Sequence, residues 1–268
     1  MGPGHNADDL TISTLWWSVD ELLKGIKELG FKQPTPIQNK VIPHVLFSKQ
    51  DLIATAQTGT GKTAAFGLPL LQLTNVLNKS IQGLILCPTR ELCLQIGKDL
   101  SSYSKYLKGI SVISVYGGEK IEKQIKNLKK TPQIIVGTPG RTKDLIKRKK
   151  LFLGDTKRLI MDESDEMLSM GFKEDLEFIL NSSSIDKNIL LFSATMTKKV
   201  IAVTKKYMKN PVEISVTKLN RGADNINHIF YMVNAKDRYE VVKRIADMNP
   251  NIYGIVFCRT RRETKDVA

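Results

Sequence analysis

Seven short apolar runs set the outline of this chain: "DLIATA" (51–56), "GLILC" (83–87), "SVISV" (111–115), "QIIVG" (133–137), "RLIMD" (158–162), "NILLFS" (188–193) and "VEISV" (212–216). Most lack the polar alternation of a half-exposed strand, which predicts strands buried on both faces of a parallel sheet. Helical stretches separate them, and strands alternating with helices imply an α/β fold with right-handed crossovers. Upstream, "SVDELLKGIKELGF" reads as a helix, with Ser18 and Glu21 at capping-box spacing and Gly30 at its close. The two prolines of "QPTPIQ" open a further helix from Ile37 to Phe47.

The segment 209–225 ends this series, and its polar second half reads as a linker. "INHIFYMV", "KDRYEVVKRIADM" and "YGIVFCRT" then predict a fresh β–α–β start, too small to be stable alone. The expected organisation is a poorly ordered terminus over 1–17, whose "MGPGHN" resembles an expression scar, a first domain over 18–216 and a linker over 217–225. The beginning of a second domain, cut short, follows over 226–268.

Charge narrows the partners. Forty-one lysines and arginines against 27 acidic residues leave +14, which favours a polyanion, with nucleic acid ahead of an anionic membrane surface. No apolar run approaches the ~18 residues of a membrane span. Cys87, Cys93 and Cys258 are too scattered for a disulfide framework or a zinc site and read as buried thiols in a reducing compartment. His5, His44 and His228 show no ligand spacing.

"AQTGTGKT" (56–63) joins an apolar strand to the helical "TAAFGLPLLQL", the context a phosphate-binding loop requires. Gly59 and Gly61 let backbone amides approach phosphate oxygens at a helix N-terminus; Lys62 would hold the outer phosphates and Thr63 would ligate magnesium. Ala56 stands where the general pattern has glycine. "LIMDESDEML" (159–168) runs a buried strand into carboxylates. Alone this would read as an acidic helix start, but beside a phosphate loop Asp162 fits the second magnesium contact and Glu163 the base that takes a proton from water.

With these residues in place, the chain resembles the DEAD-box ATP-dependent RNA helicases, most closely their bacterial cold-shock and ribosome-associated branch. The resemblance rests on "GFKQPTPIQ" (30–38), "AQTGTGKT", "PTREL" (88–92), the glycine pair 117–118, "TPGR" (138–141), "DESD" for the usual acidic box, "SAT" (193–195) and "IVFCRTR" (255–261), in the family's order. It implies a RecA-like P-loop NTPase domain, a mostly parallel sheet flanked by helices, followed by a truncated second RecA-like domain. It also implies that Gln38 reads adenine with Phe31 stacked on it, and that Thr58, Gly59, Thr60, Gly61, Lys62 and Thr63 hold ATP. Pro88, Thr89, Arg90, Gly117, Gly118, Thr138, Pro139, Gly140 and Arg141 would track the RNA backbone. Asp165, Ser193, Ala194 and Thr195 would couple hydrolysis to domain movement. Ala56 is the family's own residue at its position.

The resemblance further implies an RNA-stimulated ATPase using ATP and Mg2+, with Lys62, Asp162 and Glu163 as the catalytic set, which binds RNA with low sequence preference and locally unwinds short duplexes. A cytoplasmic monomer associated with ribosomes or RNA-decay complexes, away from membranes, is the expected setting. An ATP-gated RNA clamp without unwinding, and a P-loop ATPase acting on DNA or protein, are the alternatives. Strand separation alongside ATP turnover separates the first, and stimulation by single-stranded DNA but not RNA the second.

The chain departs from the family at both ends. "LTISTLWWS" lacks the upstream phenylalanine, with Trp16 and Trp17 nearby, and the arginine-rich segment that supplies an arginine finger is absent. Weak binding of ATP and RNA and poor hydrolysis by this chain are expected, because such a finger is worth roughly 10³–10⁵ in rate in related enzymes. The basic run "RTKDLIKRKK" (141–150) begins at Arg141, and its residues 147–150 read as a solvated steering patch. Ser164 replaces the family's alanine; if buried, its hydroxyl is expected to bond a nearby backbone carbonyl.

Overall fold

The computed structural model describes residues 20–216, 227 and 229–268. The chain divides into two compact units, Met1–Leu219 and Asn220–Ala268. In the first, each of the seven predicted runs forms a strand: β1 (Leu52–Thr55), β2 (Gly83–Leu86), β3 (Val112–Val115), β4 (Ile134–Gly137), β5 (Arg158–Met161), β6 (Asn188–Ser193) and β7 (Val212–Ser215). They make one sheet in the order β3-β4-β2-β5-β6-β1-β7. Every pairing is parallel, with register such as Leu86↔Met161 and Thr55↔Ser193.

Successive residues of a strand point to opposite faces, and along the inner strands both faces are dry, while the edge strands β3 and β7 are half-buried or partly exposed. Ile85, Ile160 and Phe192 enter one core with Leu22, Phe66 and Leu100. Leu84, Leu86 and Leu191 enter the other with Leu145, Leu176 and Val203. The first core is covered by α1 (Asp20–Glu28), α2 (Pro36–Phe47), α3 (Lys62–Gln72) and α4 (Arg90–Tyr103). The second lies beneath α5 (Ile121–Leu128), α6 (Pro139–Lys147), α7 (Ser164–Ser169), α8 (Lys173–Ser182) and α9 (Lys198–Tyr207). Cys87 and Cys93 are buried as expected. Ser18, Trp16 and Trp17 lie outside the described residues.

Because all strands run the same way, their carboxyl ends share one edge of the sheet. The loops after β1, β5 and β6 are neighbours there, as are those after β3, β4 and β2. The basic residues 147–150 close α6 and precede β5, so they lie at the opposite edge, exposed to water.

In the second unit the expected β–α–β start is not met among the described residues. A 3-10 turn (Ala235–Asp237) leads into α10 (Arg238–Met248), and α11 (Arg261–Val267) follows, with no strand. Extended segments need a neighbour to pair with. None is supplied here, and Phe230, Met232, Ile255 and Phe257 remain exposed. Cys258 is half-buried rather than buried. Residues 226 and 228 of the first expected strand lie outside the described residues. Among the described residues, no helix is long and apolar enough to cross a membrane.

One helix contact sets the seating of α1. Gly25 faces α4, and a Cβ there would lie 2.7 Å from the backbone oxygen of Tyr103. Alanine is the better helix former by about 1 kcal/mol. Overpacking against backbone should nevertheless win, and Gly25→Ala is expected to destabilise the protein by about 1–3 kcal/mol, measured by urea unfolding.

Candidate functional site

The phosphate loop leaves β1 and enters α3. Gly59 and Gly61 take φ of 81° and 90°. A substitute at Gly61 would be strained by its φ and would displace Gln38, since a Cβ would stand 2.5 Å from Gln38 Nε2. That closeness is used: Gln38 Nε2 donates to Gly61 O at 3.2 Å. Its Oε1 accepts from Thr35 N at 2.9 Å, fixing the start of α2. Gln38 is thus a buried brace between helix and loop, with one amide hydrogen still uncommitted. Phe31 is half-buried and sits edge-on to Tyr103, ring centroids 6.1 Å apart. Thr60 Oγ1 donates to Gln57 O at 2.8 Å, Thr58 is exposed, and Thr63 is half-buried in the first turn of α3.

Lys62 points inward, where Nζ donates to Ala56 O at 3.1 Å and lies 4.0 Å from Asp162 Oδ1. Asp162 extends the ladder past β5, its N–H donating to Leu86 O at 2.9 Å. Burial pushes its carboxyl up to about 6, with Lys62 partly opposing the rise. Glu163 follows in the left-handed region at φ 50°, ψ 50°, and its N–H donates to Asp162 Oδ1 at 3.0 Å. A non-glycine residue held there costs about 1–2 kcal/mol. The turn separates the two carboxylates, leaving Asp162 buried and Glu163 half-exposed.

Ser164 is buried, and its Oγ donates to Phe192 O at 3.0 Å, the backbone-carbonyl bond expected of it. Asp165 Oδ2 accepts from Thr195 N at 2.9 Å and from Thr195 Oγ1 at 2.7 Å. Burial raises the pKa of Asp165, but hydrogen bonding led by Thr195 outweighs it and holds the carboxyl below its ordinary range. Ser193 Oγ also donates to Thr195 O at 2.8 Å, while Ala194 is exposed and makes no side-chain hydrogen bond. The acidic turn after β5 is therefore tied to the end of β6.

The other three loops gather at the far half of the same edge. Pro88 is buried, and Thr89 caps α4 by accepting from Leu92 N at 3.2 Å. Arg90 is exposed, with its guanidinium 5.0 Å above the Tyr116 ring and Nη1 3.5 Å from where a Gly118 Cβ would stand. Gly117 and Gly118 are exposed beside it. Thr138 and Pro139 are buried at the start of α6, whereas Gly140 and Arg141 are half-buried. Arg141 Nη2 donates to Glu119 O at 3.0 Å, and its Nη1 is buried without a hydrogen-bond partner among the described residues. A free, buried guanidinium donor in a basic loop cluster suits an anionic oxygen.

A family model described as "DEAD/DEAH box helicase" matches residues 35–203. The chain belongs to that family. The DEAD-box ATP-dependent RNA helicase CshA of Bacillus cereus is 43% identical over 249 residues, 93% of this chain and 47% of that protein. The probable ATP-dependent RNA helicase MJ0669 of Methanocaldococcus jannaschii is 45% identical over 249 residues, 93% of this chain and 66% of its own length. A crystal structure of a DEAD box protein from the hyperthermophile Methanococcus jannaschii superposes with a TM-score of 0.74 at 43% identity, covering 96% of this chain and 68% of that one. This DEAD-box chain thus spans about half the length of the bacterial relatives it matches.

The DEAD-box motifs of the first unit reach the carboxyl edge, but sequence reasoning passes over two residues. Thr35 lies inside the two-proline turn with no local mark of a role, and its backbone N–H anchors Gln38. Tyr116 stood next to the glycine pair and escaped notice, though its buried ring seats Arg90. The signal available was an aromatic directly after a predicted strand and before a glycine turn.

The raised pKa of Asp162 has a measurable consequence. A carboxyl whose folded pKa exceeds its ordinary 3.8 holds its proton more tightly when folded, so its contribution to stability declines as pH rises toward about 6. Across about pH 4–7 the metal-free protein should lose roughly 2 kcal/mol from this group. Asp162→Asn should flatten that slope, read by urea unfolding at each pH.

Proposed function

We propose that this chain carries the ATP-binding core of an RNA-stimulated ATPase that locally unwinds short RNA duplexes. The carrying observation is one shared edge: Lys62 stands 4.0 Å from buried Asp162 on one half, and Arg90 and Arg141 stand on the other. The family membership and the names of the relatives support the same reading. The first domain, 18–216, would contain this machinery, with a linker over 217–225 and a second domain beginning at 226.

The residues fit a magnesium nucleotide. Asp162 is a buried carboxyl that accepts a hydrogen bond from Glu163 N, and Lys62 has donors to spare beyond Ala56 O. Asp162 and the Thr63 hydroxyl would hold Mg2+, which supplies charge neutralisation at the phosphates. Among the described residues no three His, Cys, Asp or Glu side chains form a metal cage. Magnesium commonly needs only one or two carboxylates beside water and phosphate. The backbone amides of residues 58–63 would cradle the phosphates, and Lys62 would stabilise developing charge.

Gln38 has one amide hydrogen for adenine, so base recognition would be felt directly at Gly61 of the phosphate loop. Glu163, on the exposed side of its turn, would accept the proton of the attacking water. The Asp165–Thr195 hydrogen bonds would transmit the state of the acidic turn to β6, and from there to a neighbouring domain. Thr89, Arg90, the 117–118 glycines and the 138–141 turn would hold the RNA backbone, giving low sequence preference. Work in the cytoplasm with ribosome or RNA-decay assemblies is consistent with the basic charge and the bacterial relatives.

Glu163→Gln in the full-length protein is expected to lower RNA-stimulated ATP turnover by roughly 10²–10⁴ while preserving ATP binding. Near-normal turnover would remove Glu163 as the base. Gln38→Ala should reduce the preference for ATP over other nucleoside triphosphates and loosen the phosphate loop. An unchanged preference in competition binding would show that Gln38 only braces the loop.

A further inference from the structure

The only fully buried residue of α5 is polar. Gln124 is 1% exposed, on a helix whose apolar residues Ile121, Ile125 and Leu128 are only partly covered. Burying a primary amide costs free energy unless all its groups are bonded. Here they are. Oε1 accepts from Tyr116 N at 3.3 Å, while Nε2 donates to Tyr116 O at 3.0 Å and to Glu119 Oε2 at 3.2 Å.

The geometry has a local cause. β3 is the edge strand and ends at Val115, so Tyr116 would continue outward with no neighbouring strand on its free side. The Gln124 amide exchanges a donor and an acceptor with Tyr116, as a paired strand residue would. It closes the loop 116–124 on itself. Its third bond fixes Glu119, whose other carboxylate oxygen accepts from Lys123 at 2.7 Å.

Tyr116 and Glu119 are also the seats of the two arginines. The Tyr116 ring lies under Arg90, and the Glu119 carbonyl accepts from Arg141. One buried amide thus holds both residues that orient the guanidinium groups of separate loops, one after β2 and one after β4. We propose that Gln124 is a positioning residue of the RNA interface, holding the 116–119 loop so that the guanidinium groups of Arg90 and Arg141 are set together for backbone phosphates. This assignment rests on the RNA-binding reading above. It requires an amide, because a carboxylate cannot donate to Tyr116 O and an apolar chain can do neither.

The test uses the full-length protein and fluorescein-labelled oligouridine, with binding followed by anisotropy over a range of salt. Gln124→Met, of similar length and without branching, is expected to weaken RNA binding about 10-fold and make its salt dependence shallower, as fewer phosphates are engaged. Affinity for mant-ADP, measured without RNA, should stay unchanged. In an Arg90→Ala/Arg141→Ala background the same substitution should cause no further loss, because the groups it positions are gone.

An RNA affinity that is unchanged, a loss that persists undiminished without the arginines, or a parallel fall in nucleotide affinity would each overturn the assignment. If Gln124→Met does not fold, Gln124→Glu applies the same cycle with the side-chain size kept. An unsubstituted chain that binds oligouridine without salt dependence would instead overturn the RNA reading itself.

Discussion

Parallel pairing across the whole sheet is the constraint from which the site follows. Seven strands running one way leave every carboxyl end at the same edge, and the loops after β1 to β6 turn straight into a covering helix. Backbone amides at those turns lack partners within the helix. An edge of this kind collects anions before any particular side chain is chosen. Strand order then divides the edge: β5, β6 and β1 are adjacent and carry the phosphate loop with its carboxylates, while β3, β4 and β2 carry the arginines. Two anionic ligands can therefore occupy one edge without competing for the same loops.

The chemistry on that edge depends on groups kept in places they would not choose alone. Asp162 is buried beside Lys62 at 4.0 Å, too far for a close ion pair, and its carboxyl is lifted to about 6. Glu163 sits in a left-handed turn that glycine would adopt more cheaply. Such strain persists where the surroundings over-determine it. Here the ladder bond of Asp162, the Ser164–Phe192 bond and the paired bonds from Thr195 to Asp165 hold the turn from three sides. The same bonds tie the acidic turn to the end of β6.

Particular residues show how far the sequence could be read. "GLILC" and "RLIMD" are legible as strands because residues 84–86 and 159–161 are apolar in succession, and burial on both faces is the reason. "GTGKT" was legible because glycine at left-handed φ leaves a mark in composition. Gln38 was legible by family resemblance, but its bond to Gly61 O crosses 23 residues and left no local sign. Gln124 was invisible for the same reason: its partners Tyr116 and Glu119 lie across a turn, and nothing in "IEKQIKNL" marks one polar residue as buried. "YGIVFCRT" reads as a strand on its apolar content, yet strand character depends on neighbours, and the described segment pairs with none.

By itself, the sequence determined the α/β alternation, the phosphate loop, the acidic turn and the excess of positive charge. These are local matters of periodicity, glycine placement and residue type. Tertiary structure decided which loops meet, because strand order is set by packing between distant segments and not by their order in the chain. It placed Asp162 against Lys62, Gln38 against Gly61 and Arg141 against Glu119, and it put the basic residues 147–150 at the opposite edge from the arginines. Burial, which lifts the Asp162 carboxyl and makes the Gln124 amide a clamp, exists only once the helices have closed over the sheet.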